Sequence, residues 1–378
     1  MSLGIFTEKI PMKNILYLGW LGYGNLGDEL MYDLFKEQVQ RFDCRVRTDM
    51  ANIESRYLRN VSPQAFDLIV LGGGSILGGY RNYVHPAVID FLHQCLEHKK
   101  KIMIWGTGID WLPKSAIARL NNNERMHFPV AKDLQEKMER VFQESVWSGV
   151  RGPLTLKVLE QYGVTGHAFV SGDPAFLLNV RTDAGQEAAS PLAEKLIGKK
   201  TIGVNWGTSF NHIYGRNEAK LEKELADALN QLLENGYQIY LYAVWKPDFV
   251  PLQRLYHRLK RKDMVLFDNV LRDRHGVMNM LQHCTFTINL KLHANYLSLG
   301  AGVPFVALGY RFKVFDFFKS LELDDFIIAT DEEDISSKLI DMGGRLTREG
   351  SAFLSSIQTK KEQYSEKLTE PFQHGLYL

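Results

Sequence analysis

Short runs of β-branched and apolar residues recur along this chain, and most are followed by a stretch whose apolar positions repeat at helical spacing. Asn14–Trp20, Asp67–Leu71, Lys101–Trp105, Val146–Val150 and His167–Val170 read as buried strands, with helices at Val84–Glu97 and Val130–Glu144. A polar, alanine-rich stretch without periodicity, Thr182–Ser190, then interrupts the pattern and reads as a linker. The alternation restarts with strands Thr201–Trp206, Gln238–Val244, Met264–Phe267, Thr285–Leu290 and Pro304–Leu308. Helices Glu218–Glu234, Val250–Leu259, Val277–His283 and Leu292–Leu299 lie between them. Phe312–Leu321 and Glu332–Met342 are helical in pattern, and Arg348–Leu368 reads as a separate long amphipathic helix. Strand and helix in strict alternation specify parallel sheets covered on both faces. The expected architecture is therefore α/β, with two parallel-sheet domains facing each other across a cleft. Residues 1–185 form the first, 195–345 the second, with the boundary between Asp183 and Lys200; the terminal helix, 346–378, packs back on the first.

The strand ends carry the chemistry. The first strand runs into GWLGYGNLGDEL, where Gly22, Gly24 and Gly27 spell GxGxxG between a strand and a helix. Asp28 and Glu29 follow at once, in the first helical turn. They satisfy the helix N-terminus themselves and would repel a pyrophosphate, so NAD and FAD are not expected there. A glycine loop edged with acids suits a hydroxyl-rich ligand or a carboxylate that moves protons, which marks Gly24, Asn25, Asp28 and Glu29. The second strand ends in LGGGSILGG, where Gly73, Gly74 and Ser75 allow close backbone approach to a ligand or a facing element. The third ends in GTGI. Arg151 stands at another strand end, and Pro153 opens the helix after it; with Ser148 and Thr155 it forms a seat for a phosphate or carboxylate. Asp173 precedes Pro174, which holds it extended with its carboxylate presented. In the second half, Lys291 and His293 fall where the strand ending at Leu290 gives way to a helix stopped by Gly300 and Gly302. The carboxyl edge of a parallel sheet is where ligands bind, and a cation beside an imidazole suits an anion.

Composition narrows the classes. The chain has 378 residues, enough for two cores, and a formal net charge of +1, which argues against a nucleic-acid grip by global charge. Cys44, Cys95 and Cys284 are scattered without any CxxC, so neither a disulfide framework nor a zinc site is expected. No HExxH or close His/Asp cluster suggests a metal. No run reaches the roughly 20 apolar residues of a membrane span, and the first residues lack the apolar core of a secretory signal. The expectation is a cytoplasmic protein.

Taken together, GYGNLGDE, LGGGSIL, WGTGI, SGVRGPLT, GDPAF and the series KLH, GAGVP, Tyr310 and Phe312–Lys313 resemble the polysaccharide pyruvyl transferase family, in order, from about Ile15 to Phe318. The resemblance implies two Rossmann-like domains of the GT-B type. It implies transfer of pyruvyl from phosphoenolpyruvate to two sugar hydroxyls, giving a cyclic ketal and phosphate, with no cofactor. The partners implied are a sugar acceptor on a glycan or a lipid-linked precursor, with any membrane contact peripheral, and phosphoenolpyruvate, held by Arg151, Lys291 and His293. His293 stands as a proton donor, and Asp28, Glu29 or Asp173 as the base. The commonest family pattern has Arg where this chain has Lys291, which keeps the charge but loses the bidentate fork. The same architecture also suits a glycosyltransferase using a nucleotide-sugar donor, or a sugar-binding protein without catalysis.

Overall fold

A computed structural model describes residues 12–42, 44–78, 84–180 and 191–378. Two six-stranded sheets organise them, and every strand pair is parallel. The first contains β1 (Lys13–Gly19), β2 (Val46–Asn52), β3 (Leu68–Leu71), β4 (Lys101–Thr107), β5 (Trp147–Val150) and β6 (Phe169–Val170), in the order β2-β1-β3-β4-β5-β6. The second contains β7 (Thr201–Asn205), β8 (Gln238–Tyr242), β9 (Val265–Phe267), β10 (Phe286–Asn289), β11 (Phe305–Gly309) and β12 (Ile327–Ala329), in the order β12-β11-β10-β7-β8-β9. Near-continuous apolar runs such as Ile15–Leu18 and Ile69–Leu71 are buried on both faces, as strands roofed by helices must be. Chain order reverses between β1 and β3 in one sheet and between β7 and β10 in the other, and ligands bind at such switch points.

Five helices position the site or join the halves: α1 (Leu26–Arg41), α2 (Pro153–Gln161), α3 (Leu292–Gly300), α4 (Phe312–Leu321) and α5 (Ile335–Gln373). The two helices expected at Glu332–Met342 and Arg348–Leu368 are one continuous helix, α5. The Gly343–Gly344 pair between them does not break it; at Gly343 a Cβ would stand 2.8 Å from the Phe286 ring, so glycine is there for close packing. The helix crosses from the second sheet to the first, where Leu368 O accepts from Trp105 Nε1 at 3.0 Å and Phe372 packs on Phe35 and Trp105. The halves also share an apolar seam: Phe176 meets Tyr296 edge-on at 5.3 Å, and Tyr296 meets Phe317 at 4.2 Å. Strands β2 and β12 were absent from the expectation because one is a polar edge strand, half exposed, and the other is three residues long. All nine residues of the aperiodic stretch Thr182–Ser190, and position 181 before it, lie outside the described residues.

Candidate active site

The carboxyl edges of the two sheets face each other over a cleft of about 450 Å³. Its first wall is built by the turn from β1 into α1. Asn25 caps α1, accepting from Gly27 N at 3.2 Å, and its Nδ2 donates to Asp28 Oδ2 at 2.6 Å. Glu29 reaches back so that Gly22 N donates to its Oε1 at 2.7 Å, and Leu26 N donates across the cleft to Val244 O at 3.2 Å. The donors that a dinucleotide pyrophosphate would use are therefore taken by the protein. Gly27 has a different use: a Cβ there would stand 1.7 Å from His293 Nδ1, so the third glycine of the GxGxxG makes room for an imidazole from the other domain. Asp28 is half-buried, and its carboxyl is pushed up to about 7, mainly by burial and also by Glu29 and Asp173, against the lowering pull of Lys313 and Arg311.

Arg151 is completely buried at the floor of this wall. Its Nη1 donates to Ser75 Oγ at 2.9 Å, its Nη2 donates to Ile109 O at 2.7 Å, and its Nε lies 3.7 Å from Asp316 Oδ2. Asp316 comes from α4 in the second domain and also fills the N-terminus of α2. Leu154 N and Thr155 N donate to its Oδ1 at 2.8 and 3.2 Å, and Thr155 Oγ1 donates to Oδ2 at 2.6 Å. The seat expected for a substrate anion among Ser148, Arg151 and Thr155 thus holds the protein's own carboxylate. Ser148 turns instead to Phe142 O. Helix termini attract any anion, and a neighbouring domain supplies one here.

The second wall comes from the strand ends of β10 and β11. Lys291 precedes α3; its Nζ donates to Thr208 O and lies 3.2 Å from Asp248 Oδ1, while its backbone N donates to Asn205 Oδ1 at 3.0 Å. Asp248 is buried, and burial raises its carboxyl despite the lowering effect of Lys291. His293 is nearly buried, and its Nε2 has no hydrogen-bond partner. Burial, with Lys313 and Arg151 adding to it, lowers its pKa to about 3, so the ring is neutral at pH 7. After β11, Arg311 Nη2 lies 3.1 Å from Asp110 Oδ2 and Lys313 Nζ 3.7 Å from the same oxygen. Asp110 is buried, which would raise its carboxyl, but Arg311, Lys313 and Arg151 together outweigh this and lower it. Tyr310 shows the same balance: burial raises its phenol, and Lys313, Arg311 and Lys291 bring it below the ordinary value.

Of the residues singled out by sequence, Asn25, Asp28, Gly74, Ser75, Arg151, Lys291 and His293 meet around this one cleft. Gly24, Glu29, Gly73 and Asp173 are not part of its lining. Glu29 holds the glycine loop, and Gly73 makes room for Pro174 and Met31. Asp173 is not presented to the cleft: it is fully buried and caps the turn Pro174–Leu177, with Oδ1 accepting from Ala175 N at 3.0 Å. Its other oxygen has no partner, and burial chiefly pushes its pKa to about 6. Sequence reasoning gave no site role to Asp110, Tyr310, Arg311 or Lys313, although Tyr310 and Lys313 stand in the motif series that carries the resemblance. YRFK follows a strand and opens a helix just as LKLH does, so the same strand-end argument applied to β11 would have found them. Among the described residues no group of three or more His, Cys, Asp or Glu side chains could hold a metal ion, and no described helix is long and apolar enough to cross a membrane.

The family model for polysaccharide pyruvyl transferase matches residues 25–311, from the Asn25 cap to Arg311. Amylovoran biosynthesis protein AmsJ from Erwinia amylovora is 25% identical over 189 residues. That match spans 47% of this chain and 45% of AmsJ, so it reaches under half the length of the relative. Among solved structures, S. aureus MnaA with UDP superposes with a TM-score of 0.61 at 11% identity, over 97% of this chain and 98% of that one. A UGT transferase from Siraitia grosvenorii with UDP gives 0.56 at 11% identity, over 97% and 100%. These likenesses establish a GT-B-like fold of two Rossmann-like domains.

Proposed function

Because the chain belongs to the polysaccharide pyruvyl transferase family, we propose that it transfers pyruvyl from phosphoenolpyruvate to two hydroxyls of a sugar, on a glycan or its lipid-linked precursor. The observation that carries this reading is the meeting of Arg151, Lys291, Arg311 and Lys313 on one cleft, beside an imidazole with an unpartnered Nε2. Phosphoenolpyruvate brings a phosphate and a carboxylate, and such a cluster suits both through charge-assisted hydrogen bonds. The cations differ in readiness. Lys291 is engaged by Asp248 and Thr208 O, and Arg151 by Asp316, whereas Arg311 and Lys313 share a single carboxylate, Asp110. Arg311 and Lys313 are therefore the principal phosphate ligands.

The proton roles follow from the same fields and reverse the sequence expectation. An imidazole held near pKa 3 is neutral at pH 7 and is not a proton donor, whereas a carboxyl near 7 is half protonated at neutral pH. In this reading Asp28 gives its proton to the enol methylene, leaving an oxocarbenium-like centre at C2. A sugar hydroxyl adds there and loses its proton to the neutral His293. The C2–O bond to phosphate then breaks, phosphate departs with the electron pair, and a second hydroxyl closes the ketal. His293 passes its proton to the departing phosphate, and the proton of the second hydroxyl restores Asp28, so the enzyme ends as it began. The cation cluster stabilises the anion as it leaves.

The test is phosphate release from phosphoenolpyruvate in the presence of candidate glycolipids, followed by mass spectrometry of the acceptor. Release that depends on acceptor, with a mass gain of one pyruvate less water, is expected. Hexose transfer from a UDP- or GDP-sugar with no use of phosphoenolpyruvate would replace this reading by that of a glycosyltransferase.

A further inference from the structure

The outer part of the cleft is lined by three aromatic rings that the donor chemistry does not use, Trp20, Phe210 and Trp245. Trp20 stacks on Tyr23 with ring centroids 4.4 Å apart, and Phe210 meets Trp245 edge-on at 5.8 Å. The two pairs come from opposite domains and are tied together, since Trp245 Nε1 donates to Tyr23 O at 3.3 Å. Tyr23 is itself fixed by donating its hydroxyl to Glu54, whose side chain also lines the cleft. Phe210 remains 62% exposed, an unusual position for a large apolar ring that serves only packing. Trp111, by contrast, has Arg311 stacked on it at 4.0 Å and belongs to the anion end.

We propose that Trp20, Phe210 and Trp245, with Glu54 and with Tyr23 stacked behind Trp20, form the acceptor subsite, and that it takes an uncharged pyranose ring. This rests on the pyruvyl-transfer reading for its role, and on the aromatic lining alone for its ligand class. A pyranose has an apolar C–H face that lies on aromatic rings and an equatorial belt of hydroxyls that donates to a carboxylate. Apolar walls with a few placed polar groups are what such a ligand needs. Two cations lie near these rings: Lys291, 5.1 Å from the Trp245 ring centre, is already paired with Asp248, and Arg56, whose Nη2 donates to Tyr23 Oη at 3.3 Å, is paired with Glu54. The outer end therefore favours a neutral ring over a phosphate, while the inner end keeps its cations for the donor. The two ends together place a sugar hydroxyl beside the donor carbon.

Saturation-transfer NMR on the whole protein with methyl gluco-, galacto- and mannopyranosides tests this, with phosphoenolpyruvate titrated separately by calorimetry. At least one glycoside should receive saturation at its ring C–H protons. Phe210→Ala, Trp20→Ala and Trp245→Ala should each weaken that sugar roughly three- to tenfold, in line with the loss of one aromatic contact. Phosphoenolpyruvate binding should change by less than twofold in the same variants. Phe210→Ala removes an exposed ring, so a null result there cannot be a folding failure. Transfer to none of the glycosides, transfer unchanged in all three variants, or saturation of UMP in preference to every sugar would each overturn the proposal. Absence of phosphoenolpyruvate binding with the sugar arm intact would instead overturn the donor reading and leave the subsite standing.

Discussion

Asp316→Ala should be among the most damaging single substitutions outside the cleft itself. The wild-type carboxylate has no exposed surface and accepts from Leu154 N, Thr155 N and Thr155 Oγ1 while lying 3.7 Å from the Arg151 guanidinium. Removing it takes from a fully buried arginine its nearest counter-charge, a change that costs about 3–5 kcal/mol. That figure already contains most of the loss of the α2 cap, which alone would cost about 0.5–2 kcal/mol. For a chain of 378 residues, the apparent melting midpoint should fall by roughly 4–6 °C. Asp316→Asn separates the parts. The amide still accepts from the two backbone N–H groups, and asparagine caps a helix about as well as aspartate, but it cannot neutralise Arg151. It should fall between wild type and alanine. Differential scanning calorimetry measures both, and phosphoenolpyruvate titration shows whether the displaced Arg151 also weakens the donor site. A midpoint for Asp316→Ala within error of wild type would mean that the interdomain carboxylate is dispensable, and the reasoning would fail.

Gly27→Ala should abolish activity and lower stability, because the new methyl would drive into the His293 ring; a variant with wild-type turnover would show that the imidazole is free to move. Arg311→Ala and Lys313→Ala should each weaken phosphoenolpyruvate by tenfold or more, one charge-assisted bond being worth about 1.5–3 kcal/mol. Lys291→Ala should cost less, since Asp248 already engages it, and Lys291→Arg should keep or improve donor binding; calorimetry that ranks Lys291 above both others would contradict the assignment. The two titrating groups of the cleft give opposite pH slopes. Asp28 has a folded pKa raised to about 7, so its contribution is full below about pH 4 and is lost as pH rises through 7. His293 has a folded pKa lowered to about 3, so its contribution is full above about pH 6.5 and is lost as pH falls toward 3. Chemical denaturation of Asp28→Asn and His293→Gln across that range should remove the respective slopes, and turnover should fall above pH 7 in wild type only if Asp28 must be protonated.

The alternation of apolar runs with helical periods was enough to read both parallel sheets, since strands buried on two faces leave a dense apolar signature. It was not enough for β2, which is half exposed at a sheet edge, or for the continuity of α5, because a Gly–Gly pair looks like a stop unless one sees the Phe286 ring it accommodates. The site was legible at the strand ends that lead into Asn25, Gly74, Arg151 and Lys291, but not at the end of β11, where Arg311 and Lys313 stand. What sequence could not carry was the partner across the cleft: that Asp316 would fill the anion seat beside Arg151, or that Gly27 faces His293. Those pairs are more than 160 residues apart in the first case and come from different domains in both, so local pattern holds no trace of them. Asp173 shows the converse, a residue whose local signal was correct, extended before Pro174, and whose carboxylate the fold nonetheless turns inward to cap Ala175.

Calorimetric titration of the intact protein with phosphoenolpyruvate, and with UDP- and GDP-sugars in parallel, tests the assignment of the cleft most directly. The account predicts one site for phosphoenolpyruvate, competed by inorganic phosphate and lost in the Arg311→Ala, Lys313→Ala double variant. Tight binding of a nucleotide sugar in that cleft, with no heat from phosphoenolpyruvate, would contradict it.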